Sequence, residues 1–124
     1  MDSSPVKPGL TLLKRAYGWT RKMGRLVRVS SLSELQPGDK KAVKVDGETV
    51  LLVNVERKIY AVSDICTHEY AELVNGFLME DIITCPLHLS RFKVDTGEAL
   101  SPPATKPLKT YKVILQGPDI YLDV

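Results

Sequence analysis

The segment CTHEYAELVNGFLMEDIITCPLH, residues 66–88, contains both cysteines and both histidines of the 124-residue chain. These four residues form two compact boxes, Cys66-Thr67-His68 and Cys85-Pro86-Leu87-His88, with sixteen residues between the boxes. Two thiols and two imidazoles are a soft donor set that suits zinc or an iron–sulfur centre. Because each box is short, its ligands can reach one metal from a single loop. We therefore predict two loops that close on one metal centre.

Other uses of these four residues are open at this point. A disulfide between Cys66 and Cys85 would leave both histidines without a role. A nucleophilic Cys–His pair would not explain why the pair occurs twice. A zinc site is the main alternative, although its usual spacing puts paired cysteines in one box and paired histidines in the other. Here each box contains one of each.

The chain on both sides of the boxes has the pattern of short antiparallel strands. β-branched and apolar runs alternate with turn residues, and Asp46-Gly47 suits a type I′ hairpin turn. No long amphipathic helix is predicted after residue 36. We predict strands at residues 26–29, 41–45, 48–55, 59–62, 82–84, 92–94, 110–115 and 120–123. The fold class is all-β, interrupted by loops at residues 64–91.

Charge divides the chain into an arm and a body. Residues 1–28 carry seven basic side chains against Asp2 alone, whereas residues 29–124 carry ten basic and fourteen acidic side chains. We predict a basic N-terminal arm at residues 1–24 and one domain at residues 25–124. The net charge of +2 does not favour a nucleic-acid partner. The longest aliphatic run, Val50–Val53, is far shorter than the about 20 residues of a membrane span, so no integral membrane segment is expected.

The boxes and the residues after them resemble Rieske 2Fe–2S proteins. The resemblance extends through Ser90-Arg91-Phe92, Thr96–Leu100 and Ser101–Thr105, and covers about residues 26–124. It implies a Rieske-like fold of antiparallel sheets with a small inserted cluster-binding subdomain at about residues 64–100. It also implies a 2Fe–2S cluster in which Cys66 and Cys85 hold one iron and His68 and His88 hold the other.

The resemblance implies roles for residues beside the boxes. The Ser90 hydroxyl would donate to a cluster sulfide, and Pro102, Pro103 and Ala104 would form the proline loop that covers the cluster. Phe92 stands where a tyrosine would donate to a ligand thiolate, and Ala71 and Leu87 stand where respiratory Rieske proteins have a second cysteine pair. These departures predict a low-potential type, at about −150 to +100 mV.

Leu89 departs from the family in another way. It follows the second histidine directly, where the family usually has glycine beside the cluster. Leucine resists a positive φ angle, so its presence needs a reason. Local packing and contact with a docking partner are both open interpretations.

The resemblance implies a soluble, oxygenase-associated Rieske ferredoxin. Such a protein passes one electron from a flavin-containing reductase to a terminal oxygenase. A permanent Rieske subunit of a larger oxidoreductase and a zinc-stabilised β binding domain are the alternatives. An oxygenase would need a second iron site with further histidines, and none remains, so we do not predict an enzyme. We expect a cytoplasmic monomer, since cysteines used as ligands suit a reducing compartment.

Overall fold

The computed structural model describes residues 25–124, which form nine β-strands and two short 3-10 turns. The turns are at Leu32–Glu34 and Leu73–Asn75, and no helix among these residues is long and apolar enough to cross a membrane. The basic arm predicted at residues 1–24 lies outside the described residues. The strands are β1 (Leu26–Ser31), β2 (Lys40–Val45), β3 (Glu48–Val55), β4 (Lys58–Ser63), β5 (Phe77–Met79), β6 (Ile82–Thr84), β7 (Arg91–Lys93), β8 (Thr110–Gln116) and β9 (Asp119–Asp123).

Six strands form a base sheet in the order β1-β9-β8-β4-β3-β2, with every pair antiparallel. Two-residue turns fix the register of its hairpins. Asp46 and Gly47 have φ angles of 51° and 83°, as the predicted type I′ turn requires. The next turn, between β3 and β4, is made by Glu56 and Arg57, with φ angles of 52° and 77°. Val50 therefore lies opposite both Val43 on β2 and Ser63 on β4.

Strand β3 is buried on both faces and separates two cores. Val50 and Leu52 pack into a core within the base, together with Leu35, Ile120 and Leu122. Leu51 and Val53 point the other way, into a second core that contains both cysteines. Since successive side chains of a strand point to opposite faces, the unbroken run Val50–Val53 supplies both cores at once.

The second sheet is small and has the order β5-β6-β7. Sequence patterning predicted β6 with its observed bounds but missed β5, which is three residues long and has an exposed Phe77 and Met79. The third strand was predicted at residues 92–94 and lies at Arg91–Lys93. Val94, one residue beyond β7, still donates its N–H to the carbonyl of Asp81 at 2.9 Å, which continues the register of β6 and β7.

Gly97, in the segment after β7, lets this segment approach the chain just before β8 closely. Gly97 has a φ angle of 80°, and a Cβ at this position would overlap the carbonyl oxygen of Leu108. The Gly97 carbonyl accepts a hydrogen bond from the N–H of Leu108 at 2.7 Å. Only glycine combines this φ angle with so close an approach, and the contact leads the chain from the small sheet back to the base.

Candidate metal centre

The first box lies in a loop that closes on itself. Ile65 and Glu72 form an isolated antiparallel bridge, and the N–H of Cys66 donates to the carbonyl of Ala71 at 3.0 Å. The hydroxyl of Thr67 donates to the carbonyl of Lys106 at 2.8 Å, which ties the loop to the chain beyond the proline segment. The loop is therefore held at both its base and its middle.

Asp64 connects this loop to the base sheet through hydrogen bonds. It is completely buried, and its carboxylate accepts the N–H of Val74 at 2.8 Å while its carbonyl accepts the N–H of Leu73 at 2.6 Å. Its own N–H donates to the carbonyl of Thr49 on β3 at 3.0 Å. Burial raises the pKa of the Asp64 carboxyl. The residue joins the base sheet to the first-box loop.

The second box forms the tip of the β6–β7 hairpin. The N–H of Cys85 donates to the carbonyl of Ser90 at 2.8 Å, so residues 86–89 project from the end of the sheet and are exposed. His88 and Leu89 have left-handed φ angles of 72° and 61°. A left-handed conformation costs a non-glycine residue about 1–2 kcal/mol. Leucine therefore adopts the φ angle that it was expected to resist.

Both thiols are buried at the inner side of the two loops. Cys66 is 5% exposed and Cys85 is 1% exposed, and neither forms a disulfide. The N–H of Leu87 points at the Cys85 sulfur at 3.4 Å, which is the contact that a thiolate accepts. Burial raises the pKa of the Cys85 thiol, and the neighbouring Cys66 raises it further. A bound cation would favour the thiolate form of Cys85 over the thiol.

Both imidazoles lie at the outer side. The ring centroids of His68 and His88 are 5.5 Å apart with an interplanar angle of 71°, and their side chains are 32% and 49% exposed. The Glu69 carboxylate reaches to 3.9 Å from a nitrogen of each ring. The three side chains bring one ligand atom each within 4.8 Å of one another. Sequence reasoning did not place Glu69 between the two rings.

Of the residues expected beside the cluster, Ser90 and Ala104 are in contact. Ser90 is completely buried, and its Oγ accepts the N–H of Ala104, itself 4% exposed, at 3.1 Å. Pro102 and Pro103 are exposed in the same segment. Ser101 was not predicted to matter, yet its Oγ accepts the N–H of Arg91 at 3.2 Å. These hydrogen bonds hold the proline segment against the end of the second box.

The arrangement suits two metal ions that lie side by side and have different ligands. Two thiols face the core, two imidazoles face solvent, and a buried hydroxyl lies at the end of the second box. Thiolates suit iron–sulfur clusters, and replacing two of four thiolates by histidine is the feature that defines a Rieske centre. The residues present therefore fit a 2Fe–2S cluster with mixed ligands.

Comparison with known proteins gives the same class. Residues 25–112 match the Rieske 2Fe-2S domain. The chain is 43% identical, over 94 residues, to the ferredoxin component of the naphthalene 1,2-dioxygenase system of Pseudomonas aeruginosa, covering 76% of this chain and 90% of that protein.

Solved structures agree with this match. The ferredoxin of carbazole 1,9a-dioxygenase from Nocardioides aromaticivorans superimposes with a TM-score of 0.76 at 37% identity, covering 79% of this chain and 96% of that chain. A ferredoxin in complex with the oxygenase of carbazole 1,9a-dioxygenase gives 0.76 at 34% identity, covering 79% and 92%.

The chain belongs to the Rieske 2Fe-2S domain family. Its cofactor is a Rieske 2Fe–2S cluster, and its all-β fold with a small second sheet is the Rieske fold predicted from the sequence. Like the ferredoxin components to which it is related, it carries electrons and is not an enzyme. The comparisons thus confirm the resemblance and exclude the alternative that the chain is a zinc-stabilised binding domain.

Proposed function

We propose that Cys66 and Cys85 hold one iron of the cluster, that His68 and His88 hold the other, and that the protein carries single electrons from a flavin-containing reductase to a terminal oxygenase. The main support for this proposal is that the thiols and the imidazoles of the site differ in exposure. The thiols are at most 5% exposed, while the imidazoles of the same two loops are 32% and 49% exposed.

This difference in exposure leaves the imidazole side of the site open for electron transfer. When bound, the cluster accepts and releases one electron. The core surrounds its sulfur ligands, with Leu73, Ile83 and Phe92 all completely buried. The imidazole edges are the part of the site that a partner can approach, so we assign electron entry and exit to His68 and His88.

The relatives support the partner. One is the ferredoxin component of a naphthalene dioxygenase system, and another is a ferredoxin seen in complex with its oxygenase. These ferredoxins are covered over about nine-tenths of their length by this chain. We therefore propose that this protein also serves as the ferredoxin of a terminal oxygenase. We further propose that it is cytoplasmic and monomeric when it is not bound to a redox partner.

The proposed domain organisation follows the division of the strands between two sheets. The base sheet uses no residue between Ser63 and Thr110, and β5, β6 and β7 all lie within this interval. The isolated bridge between Phe92 and Ala99 joins the end of the insertion to β7. We therefore propose residues 25–124 as the Rieske domain, with the cluster-binding subdomain at about residues 64–100.

Metal analysis of purified variants tests the ligand assignment. We expect red-brown wild-type protein with about two irons and two sulfides per chain. C85S and H88A should each lose the visible spectrum. E69Q is the matched control, since Glu69 lies beside both rings but is not a proposed ligand, and it should retain both iron and sulfide. Loss of the cluster in E69Q, or its retention in H88A, would contradict the assignment.

A second experiment tests the role as a mobile carrier. Chemically reduced protein should be reoxidised by a purified terminal oxygenase in the presence of its substrate and oxygen. The protein should elute alone in size-exclusion chromatography of a native extract. Elution at constant stoichiometry with a larger subunit would instead support a permanent Rieske subunit.

A further inference from the structure

Leu89 combines two unfavourable features at one position. Its φ angle of 61° is left-handed, a conformation that glycine or asparagine adopts at lower cost. Its side chain is also 60% exposed, so within residues 25–124 it gains little of the burial that usually stabilises leucine. Glycine would form this hairpin tip at lower conformational cost, and a polar residue would interact more favourably with solvent.

The position of Leu89 is next to the proposed electron exit. It directly follows His88, whose ring is half exposed, and Leu87 on the other side of His88 is 40% exposed. The hydrogen bond between Cys85 and Ser90 closes the hairpin beneath these residues and makes them the outermost part of the second box. An apolar side chain here is therefore open to a partner that approaches the imidazole edge.

We propose that Leu89 is a specificity-determining residue that docks into an apolar recess of the terminal oxygenase, beside the point where the electron leaves His88. Backbone strain that persists at an exposed site indicates a function beyond the fold. Burial of the exposed leucine in a partner supplies the stabilisation that the free protein lacks. This inference rests on the proposed function, because it takes the oxygenase as the partner.

The oxygenase component of the naphthalene 1,2-dioxygenase system of Pseudomonas aeruginosa is the probe, and calorimetry gives the Kd of the cluster-containing ferredoxin for it. L89A should weaken binding about tenfold, which also raises the KM for ferredoxin while leaving kcat unchanged. L115A removes a similarly exposed leucine on β8, and its Kd should stay within about twofold of wild type.

L89N separates docking from folding. Asparagine tolerates the left-handed conformation, so L89N should unfold at no lower temperature than wild type and still bind as weakly as L89A. Both variants should keep the wild-type reduction potential. An unchanged Kd in L89A and L89N, or a shifted potential in either, would overturn the inference while the proposed function stands. Failure of the wild-type protein to bind this oxygenase would overturn the inference alone, whereas failure of the protein to accept an electron from a flavin-containing reductase would overturn the proposed function.

Discussion

The buried hydroxyl of Ser90 accepts a hydrogen bond from the backbone N–H of Ala104 at 3.1 Å. This bond joins the end of the second box to the proline segment, and both residues are buried. Since the bond uses a lone pair of the oxygen, the hydroxyl proton remains free to point elsewhere. It has no acceptor among residues 25–124, and a sulfide of the cluster would provide one.

Removal of this hydroxyl should lower the reduction potential. A hydrogen bond to a charged group contributes about 1.5–3 kcal/mol, which corresponds to about 65–130 mV for a one-electron couple. We expect S90A to shift the midpoint by this amount in a redox titration. S101A is the control, because Ser101 likewise accepts a backbone N–H, that of Arg91, at 3.2 Å. A shift in S101A equal to that in S90A would show that loop anchoring, not the hydroxyl proton, sets the potential.

The wild-type potential should lie in the lower part of the Rieske range, at about −150 to +100 mV. Phe92 is completely buried in the core that contains both cysteines, and it has no hydroxyl to donate to a thiolate. Ala71 and Leu87 cannot form a disulfide between the loops. A midpoint above about +200 mV would show that other contacts raise the potential.

Two neighbouring leucines on β3 should affect the cluster differently. Leu51 packs in the core with the cysteines and Leu52 packs in the base, and both are completely buried. L51A and L52A should each lose about 2–5 kcal/mol of stability. Only L51A should also speed the bleaching of the visible spectrum under native conditions, because its cavity lies in the core that supports the first-box and second-box loops. Equal bleaching rates in the two variants would contradict two separate cores.

Much of the fold was predictable because local signals specify it. The bounds of β3 were predicted as found, since Asp46-Gly47 fixes one end and a continuous apolar run fills the strand. Strand β5 was missed because it is short and its turn contains Glu80 at a φ angle of 56°, where no glycine marks the reversal. Pairing with β6, not local propensity, makes this segment a strand.

The candidate site was predictable in its residue types but not in its surroundings. Spacing alone brought the two boxes into consideration, and the fold places them on adjacent loops. The position of Glu69 at 3.9 Å from each ring, and the bond from Thr67 to Lys106, depend on how distant loops meet. No pattern within either box specifies such contacts.

A tyrosine on the base sheet should make stability depend on pH. Tyr111 donates to Glu48 at 2.6 Å and, with Lys109 at 3.2 Å, lowers the pKa of the Glu48 carboxyl from its ordinary 4.5. A lowered pKa means that the stabilisation is present above pH 4.5 and is lost as pH falls through the folded-state value. Y111F should therefore be less stable than wild type at pH 7, and the difference should shrink below pH 4.5.

Denaturant unfolding followed by circular dichroism from pH 7 to pH 3.5 measures this difference. Y121F, on the neighbouring strand β9, is the control and should show a pH-independent offset from wild type. A Y111F offset that is also independent of pH would mean that the Glu48 carboxylate contributes nothing through this hydrogen bond.

We expect both histidines to bind the cluster directly, and pulsed EPR on reduced protein labelled with ¹⁵N only in histidine tests this. His68 and His88 are the two histidines of the chain, so the label reports on these two side chains alone. We predict a low-average-g signal with strong coupling to two histidine nitrogens. Coupling to one nitrogen or to none would contradict the ligand set and, with it, the exposed electron exit.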